Sequence, residues 1–500
     1  MTSHLEKILL DKFGYSTFRP GQKEIIQSVL NKEDVLAILP TGMGKSLCYQ
    51  VPGYLLPYSV IIISPLLSLM QDQVDQLKKM GEKRVVAVNS FLSVPEKNAL
   101  LQKLETYKFI FLSPEMVMQE QVKAKLQTMH ISLIVADEAH CISQWGFDFR
   151  PDYLKLGVIR NLIGNPLTLA LTATASKEVR EDIAEKLHLD EWNEVVYSVD
   201  RPAISLVVEH VSHFQEKIER TMELVKFLKG PGIIYFSSKK MAEQTAAYLR
   251  EQGLRKVMAY HGGLDSESRI LIQQQFIHGQ LDVICATSAF GMGVNKENVR
   301  YVIHFHMPMQ IESYLQEIGR AARDGFDSVA VLLYSPGDEQ LAFQLAEGEL
   351  PDPIQMERLF TFLADRTVDY QEIDQYREEI IAFCGFTEIQ WRITEDYLSS
   401  LEVIDYDKDK RSFIGLIEAR LKVKNLKIKQ MLEWVHTQDC KRAAILTHFN
   451  EQLTTRPDNC CSTCGLEMNN FKEDEKEADE PLGFDWKQEL ASILLFRPQP

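Results

Sequence analysis

The chain has 500 residues, too many for one hydrophobic core and enough for roughly three domains. Its 45% apolar and 25% charged residues suit a folded protein, and no apolar run approaches the ~20 residues of a membrane-spanning helix. A net charge of −16 argues against a protein basic all over, as a general nucleic-acid coat would be, but leaves room for a local basic groove.

The N-terminal MTSHLEKILLDKFGY lacks the basic, apolar and small-residue series of a signal peptide, so a cytoplasmic location is expected. FGYSTFRPGQKEII then places Tyr15, Arg19 and Gln22 ahead of the first apolar run. A Gln amide has the donor and acceptor needed to pair with an adenine edge, and Tyr15 could stack on the ring. From about residue 34, DVLAILP, VIIISP, RVVAVNS, FIFLSPE, ISLIVADE and LTLALTATA alternate with helical patterns. Near-continuous apolar strands separated by amphipathic helices predict a parallel sheet covered on both faces, with ligands beyond the carboxyl ends of the strands.

The chemistry-bearing residues fall at those ends. LPTGMGKS follows the first strand, so Thr41, Gly42, Met43 and Gly44 can wrap phosphates while Lys45 reaches the β and γ positions and Ser46 ligates Mg²⁺. ISLIVADEAH ends in Asp137, for the Mg²⁺ shell, and Glu138, to orient water. His140 either relays nucleotide state or caps a loop. Directly behind lie Trp145, Phe147 and Phe149, interleaved with polar residues and Arg150. Such rings stack on unpaired bases at roughly 1–3 kcal/mol each. The hydroxyls and N–H groups of SPLLSLM and SPE, at strand ends, suit a nucleic-acid backbone.

GIIYFS, KVMAYHGG, LDVICAT, VRYVIHF and SVAVLLY repeat the strand–helix rhythm over residues 231–334 without a second phosphate loop. In QEIGRAARDG, Gln316, Arg320 and Arg323 are spaced to share a helix face or its entry loop, and an arginine delivered across a cleft is an arginine finger. Gly291 and Gly293 in ATSAFGMGVNK allow close backbone approach. Further on, EIIAFCGFTEIQWRITEDYLSSLEVIDYDKDKRSFIGLI reads as helix, turn, helix and two short strands around DKDKR, the pattern of a winged helix or another small module. IEARLKVKNLKIKQ carries Arg420, Lys422, Lys424, Lys427 and Lys429, either a duplex contact or a solvated face. Cys48, Cys141, Cys285 and Cys384 are scattered and read as buried thiols, whereas Cys440, Cys460, Cys461 and Cys464 cluster as a Zn²⁺ site would. The stretch FKEDEKEADE, six acids against two lysines, reads as a solvated tail.

Taken in order, FRPGQ, TGMGKS, SPLLSLMQDQV, DEAHCISQWGFDFRPDY, LTATA, AYHGGL, ATSAFGMGVNK and QEIGRAARDG resemble the RecQ family of ATP-dependent DNA helicases. The resemblance runs over residues ~5–335 and more loosely to Cys464. It implies an α/β fold of two tandem RecA-like parallel-sheet lobes plus a mainly helical zinc-binding C-terminal region. The expected divisions are 1–205, 206–345, a helical insertion at 346–435, a zinc element at 436–468 and an acidic tail at 469–500. It further implies ATP and Mg²⁺ in the interlobe cleft, and 3′-to-5′ movement on single-stranded DNA with unwinding of forked duplex in recombination, repair or replication. The implied setting is a bacterial cytosol or nucleoid, with single-strand-binding protein a candidate partner. The loop of Trp145, Phe147, Phe149 and Arg150 would sense DNA and couple it to hydrolysis.

Three departures stand out. Phe147 replaces the His common in that loop, Ala322 replaces the second Gly of GRAGRDG, and CCxxC replaces the usual spaced cysteine triplet, with Asp458 or His448 as the substitute ligand if Cys460 fails. The winged-helix and HRDC domains of longer members are not expected after the zinc element. Rival readings are an RNA helicase and an ATP-switched DNA clamp.

Overall fold

A computed structural model describes residues 2–65, 67–89, 92–143, 151–291, 296–401 and 404–472. Two all-parallel sheets dominate it. The first consists of β1 (Val35–Ile38), β2 (Ser59–Ile63), β3 (Val85–Val88), β4 (Phe109–Leu112), β5 (Ile131–Asp137), β6 (Thr168–Thr172) and β7 (Asn193–Val196), in the spatial order β3-β4-β2-β5-β6-β1-β7. The second consists of β8 (Ile204–His210), β9 (Gly232–Tyr235), β10 (Val257–Tyr260), β11 (Val283–Ala286), β12 (Tyr301–His304) and β13 (Ser328–Tyr334), ordered β10-β11-β9-β12-β13-β8. All the strands expected in the two lobes form; β7 and β8, which flank the lobe boundary, were not expected.

Strands such as β1, β2 and β4 are buried along their whole length, because helices cover both faces and alternation is not required. The two sheets are wound identically, strand for strand, with β8 in the place of β1. The register decides where chemistry can occur: Asp137, Leu171 and Ala37 share one row across β5, β6 and β1. The ends of these three neighbouring strands therefore open onto one cleft.

The C-terminal region is helical. Helices Pro353–Arg366, Arg377–Cys384 and Glu388–Ser399 pack with the first half of a 31-residue helix, Tyr406–His436, around Trp391 and Phe413. At 1.5 Å per residue that helix is about 46 Å long. Its second half buries Ile428, Met431, Trp434 and Val435 in the core of the second lobe.

Among the described residues the two short strands expected around DKDKR are not present; DKDKR itself is the start of the long helix. Asp405 caps it by accepting from Lys408 N at 3.1 Å, and Asp407 and Asp409 complement the helix dipole in the first turn. What resembled a turn is a helix N-terminus, and the described residues of 346–436 hold no strand.

The basic run is also less available than its composition suggests. Lys424 pairs with Glu349 at 2.5 Å and Lys427 with Glu312 at 3.5 Å, which leaves Lys422 and Lys429 exposed. The helical module also reaches the first lobe, where Arg392 lies 3.4 Å from Asp152 and 3.7 Å from Glu115. Among the described residues no helix is long and apolar enough to cross a membrane.

Trp391 is fully buried at the centre of the module. Trp391→Ala should cost about 3–5 kcal/mol from lost transfer energy plus the cavity. A lowered thermal or denaturant midpoint for the chain would be the check; an unchanged midpoint would show that the module does not pack as described.

Candidate active site and metal centre

The phosphate loop, residues 39–46, runs from β1 into the helix Leu47–Leu55. Gly42 and Gly44 adopt φ of +87° and +71°, a region L side chains avoid, and a Cβ on Gly44 would meet Gln22 Nε2 at 2.7 Å. Gln22 is buried and donates to the carbonyls of Met43 at 2.8 Å and Gly44 at 3.0 Å. Arg19 donates to the Gly42 carbonyl, while Tyr15 is exposed. Two of the three residues expected on the adenine side, Arg19 and Gln22, thus brace the loop itself.

Behind the loop, Lys45 Nζ lies 3.2 Å from Glu138 Oε1. Glu138 is buried and held at φ +48°, a left-handed conformation that costs about 1–2 kcal/mol for a residue of its kind. His140 Nδ1 sits 2.9 Å from Thr172 Oγ1 and 3.4 Å from Glu138 Oε2, so DEAH is tied to the end of β6. Burial and then the Glu138 carboxylate push Asp137 up to about 6. Burial alone would raise Glu138 as well, but Lys45, His140 and Arg320 hold it below the ordinary carboxylate range.

Ser64, expected to face nucleic acid, is buried and donates to Asp137 Oδ2 at 3.4 Å. Tyr153 OH donates to the Asp137 carbonyl at 3.1 Å. Ser143 donates to Asp182 at 2.6 Å. The feet of the aromatic segment are therefore anchored beside the acids. Trp145, Phe147, Phe149 and Arg150 lie outside the described residues, as does Gly293.

The second lobe closes on this loop. Gln316 is on the helix Ile311–Ile318, but Arg320 and Arg323 lie in the turn beyond its end and not on a shared helix face. The turn folds against the phosphate loop, and Gln316 lines one cavity with Thr41 and Arg201. Thr41 Oγ1 donates to the Gly319 carbonyl at 3.1 Å, and a Cβ on Gly42 would lie 3.2 Å from Arg323 Cγ. Burial, Arg320 and Arg201 push Arg323 down to about 9. A buried cleft holding Lys45, Arg320 and Arg323 against Asp137 and Glu138 suits a polyanion, so these donors fit the phosphates of ATP with Mg²⁺.

Ala322 adopts φ +56°, so this position does demand the left-handed region that the glycine of GRAGRDG supplies freely. Sequence reasoning missed Arg201. It donates to the carbonyls of Thr41 at 2.5 Å, Ala322 at 2.9 Å, Ala321 at 3.1 Å and Gly319 at 3.3 Å. A lone arginine between strands has no motif to mark it.

The four clustered cysteines converge. Cys440 Sγ lies 3.6 Å from Cys460 and 3.8 Å from Cys461, which is 3.4 Å from Cys464. A Zn²⁺ with Zn–S bonds of ~2.3 Å needs tetrahedron edges of about 3.8 Å, so the thiols fit a closed structural zinc site. Burial pushes Cys461 up, yet hydrogen bonds from Thr463 and Cys464 hold it down at about 6, where the ligating thiolate is accessible. Cys440 lies between two helices: the long helix ends at His436, and Cys440 is the N-cap position of the next one, Lys441–His448. His448 faces Glu312 at 3.6 Å instead of the cluster. Cys461 bridges to Leu206 of β8, so the cysteine loop lies along the free edge of the second sheet.

Residues 19–183 match the DEAD/DEAH box helicase model, 216–325 the helicase conserved C-terminal domain and 407–465 the RecQ zinc-binding model. The chain is 44% identical to the probable ATP-dependent DNA helicase RecS of Bacillus subtilis (strain 168), over 98% of both chains. It is 34% identical to the ATP-dependent DNA helicase RecQ of the same organism, over 93% of this chain and 67% of that one. Against RecQ of Haemophilus influenzae it is 42% identical over 66% of this chain and 53% of the relative, about half that protein's length. Its backbone superimposes on the helicase MrfA bound to DNA, with a TM-score of 0.55 at 20% identity, covering 66% of this chain and 51% of that one. The Saccharomyces cerevisiae protein Dbp5 bound to RNA and ADP BeF3 gives 0.55 at 19% identity, over 66% and 86%. At such identities these two structures share the fold alone.

Two outcomes follow from the geometry. Ala322→Gly should raise the thermal midpoint, worth about 1 kcal/mol after the added flexibility of the unfolded chain is subtracted; a lowered midpoint would contradict the left-handed assignment. Metal analysis should find one zinc per chain, reduced in Cys460→Ser and retained in His448→Ala and Asp458→Ala.

Proposed function

The chain belongs to the RecQ family of ATP-dependent DNA helicases, and on that premise we propose that it uses ATP hydrolysis in the interlobe cleft to move 3′-to-5′ along single-stranded DNA and open forked duplexes. The observation that carries this reading is the direct contact of two lobes at one phosphate site, with Thr41 on Gly319 and Arg323 beside Gly42. Hydrolysis then requires closure, and closure alternating with release moves one lobe against the other along a strand.

The roles divide as follows. The backbone of Gly42, Met43 and Gly44 cradles the phosphates, and Lys45 exchanges Glu138 for the β- and γ-phosphates. That exchange leaves the Glu138 carboxylate to orient the attacking water. Ser46 and Asp137 are the groups that would hold Mg²⁺, which when bound polarises the phosphoryl oxygens. Arg320 and Arg323, with Gln316, face the charge that develops on the transferred group. Tyr15, Arg19 and Gln22 serve the adenine side. Trp145, Phe147, Phe149 and Arg150 take the single strand by stacking and phosphate contact, and His140 links them to Glu138 and Thr172.

The zinc element favours DNA over RNA in this reading, because it is the part that matches the RecQ model and not the helicase models in general. A forked duplex as substrate, a single-strand-binding protein as partner and a bacterial cytosol or nucleoid as the setting complete it.

Steady-state ATPase with single-stranded DNA, single-stranded RNA and neither tests the reading. Single-stranded DNA should stimulate strongly and RNA little. Lys45→Ala should lose at least about 100-fold in kcat, the scale for removing one preorganised donor of transition-state charge. Trp145→Ala should weaken the apparent DNA affinity by roughly five- to 150-fold, one stacked base being worth ~1–3 kcal/mol. Equal stimulation by RNA would favour an RNA helicase. Stimulation without strand separation on a fork would favour a clamp.

A further inference from the structure

The linker between the lobes, residues 197–203, joins β7 to β8 and would be expected to flex when the cleft opens. It is instead fastened at four consecutive residues. Glu451 accepts from Ser198 Oγ and from Val199 N at 3.1 Å. Arg442 pairs with Asp200 and donates to the carbonyls of Arg201 at 3.1 Å and Ile204 at 2.5 Å.

Both clamping residues belong to the zinc element. Arg442 stands two positions after the ligand Cys440, is 2% exposed, and also donates to the Cys460 carbonyl at 3.4 Å. Glu451 follows the same short helix. The linker's beginning is held to the first lobe, with Tyr197 N donating to the Ile38 carbonyl at 3.0 Å. What projects from this clamped strip is the Arg201 guanidinium. It spans one carbonyl of the phosphate loop and three carbonyls of the turn that carries Arg320 and Arg323.

We propose that Arg201 is a positioning residue for ATP hydrolysis, joining the phosphate loop to the arginine turn, and that the zinc element governs the cleft by holding the linker through Arg442 and Glu451. This rests on the helicase reading above. Among the described residues Arg201 hydrogen-bonds backbone carbonyls, so it acts through the arginines it places. The planar fork suits the task, because it can bond several carbonyls in different directions at once, which the point charge of a lysine does poorly. The zinc site would then do more than fold a small unit: its rigidity is transmitted through Arg442 to the backbone of Arg201.

The test is DNA-stimulated ATPase on the full chain, with kcat and KM for ATP separated and zinc content measured on each preparation. Arg201→Ala should lower kcat at least tenfold, change KM for ATP less than threefold, and retain one zinc per chain. Arg201→Lys should fall between that variant and the native chain. Glu451→Gln, at a half-buried position that folding tolerates more readily, should lower kcat severalfold with zinc retained, and should add nothing in the Arg201→Ala background. A kcat for Arg201→Ala within twofold of native would overturn the proposal. So would a Glu451→Gln effect of equal size in both backgrounds, since the two residues would then act independently. If the native chain itself showed no DNA-stimulated ATPase, the helicase reading would fall first and this inference with it.

Discussion

The contact between the phosphate loop and the turn after the helix Ile311–Ile318 is the one on which the site depends. The last carbonyls of a helix have no partner within it and need outside donors. Here those of Leu315, Glu317 and Ile318 are met locally by Gly319 N, Arg320 N and Ala321 N, while the carbonyls just beyond take donors from across the cleft, Thr41 to Gly319 and Arg201 to Gly319, Ala321 and Ala322. The turn that carries Arg320 and Arg323 thereby gains these bonds when the lobes are together. Gly319 permits this approach, because a Cβ there would fall 1.9 Å from Thr41 Oγ1.

Strain collects at the same place. Glu138 and Ala322 stand on either side of the cleft in left-handed backbone, each at a cost of about 1–2 kcal/mol that the surrounding packing must enforce. For Glu138 the consequence is direct: the turn aims its carboxylate at Lys45 and away from the β5 ladder, leaving Asp137 at the strand end. Two adjacent carboxylates thus have different surroundings, one countered by Lys45 and His140, the other buried beside its neighbour's charge.

The sheets explain the distribution of parts. The two windings are equivalent, but the first is closed on one edge by β7 while the second ends at β8. The cysteine loop lies along that edge, with Leu206 N donating to the Cys460 carbonyl at 3.2 Å and Ser205 Oγ to Asn459 O at 2.6 Å. An exposed edge strand is a liability for association, and the zinc element covers it. The long helix Tyr406–His436 joins this element to the helical module, which in turn meets the first lobe through Arg392 and Asp152, just past the aromatic segment. The C-terminal region is therefore in contact with both lobes.

The sequence by itself determined the two parallel sheets, the phosphate loop, DEAH and the cysteine cluster, because each is a local pattern: unbroken apolar runs between helices, glycines at fixed offsets, thiols a few residues apart. It also marked Ala322 as standing where GRAGRDG has its second Gly. The tertiary structure alone decided what depends on distant segments meeting. DKDKR became a helix start because Asp405 caps it and the helix behind it has two cores to fill. Ser64 turned to Asp137 because β2 and β5 are neighbours, and Cys460 joined its fellow cysteines because β8 holds its backbone. Arg201 shows the limit most clearly. Its partners are about 120 and 160 residues away in both directions along the chain, and a guanidinium that binds only backbone carbonyls leaves no trace in the identity of the residues it serves.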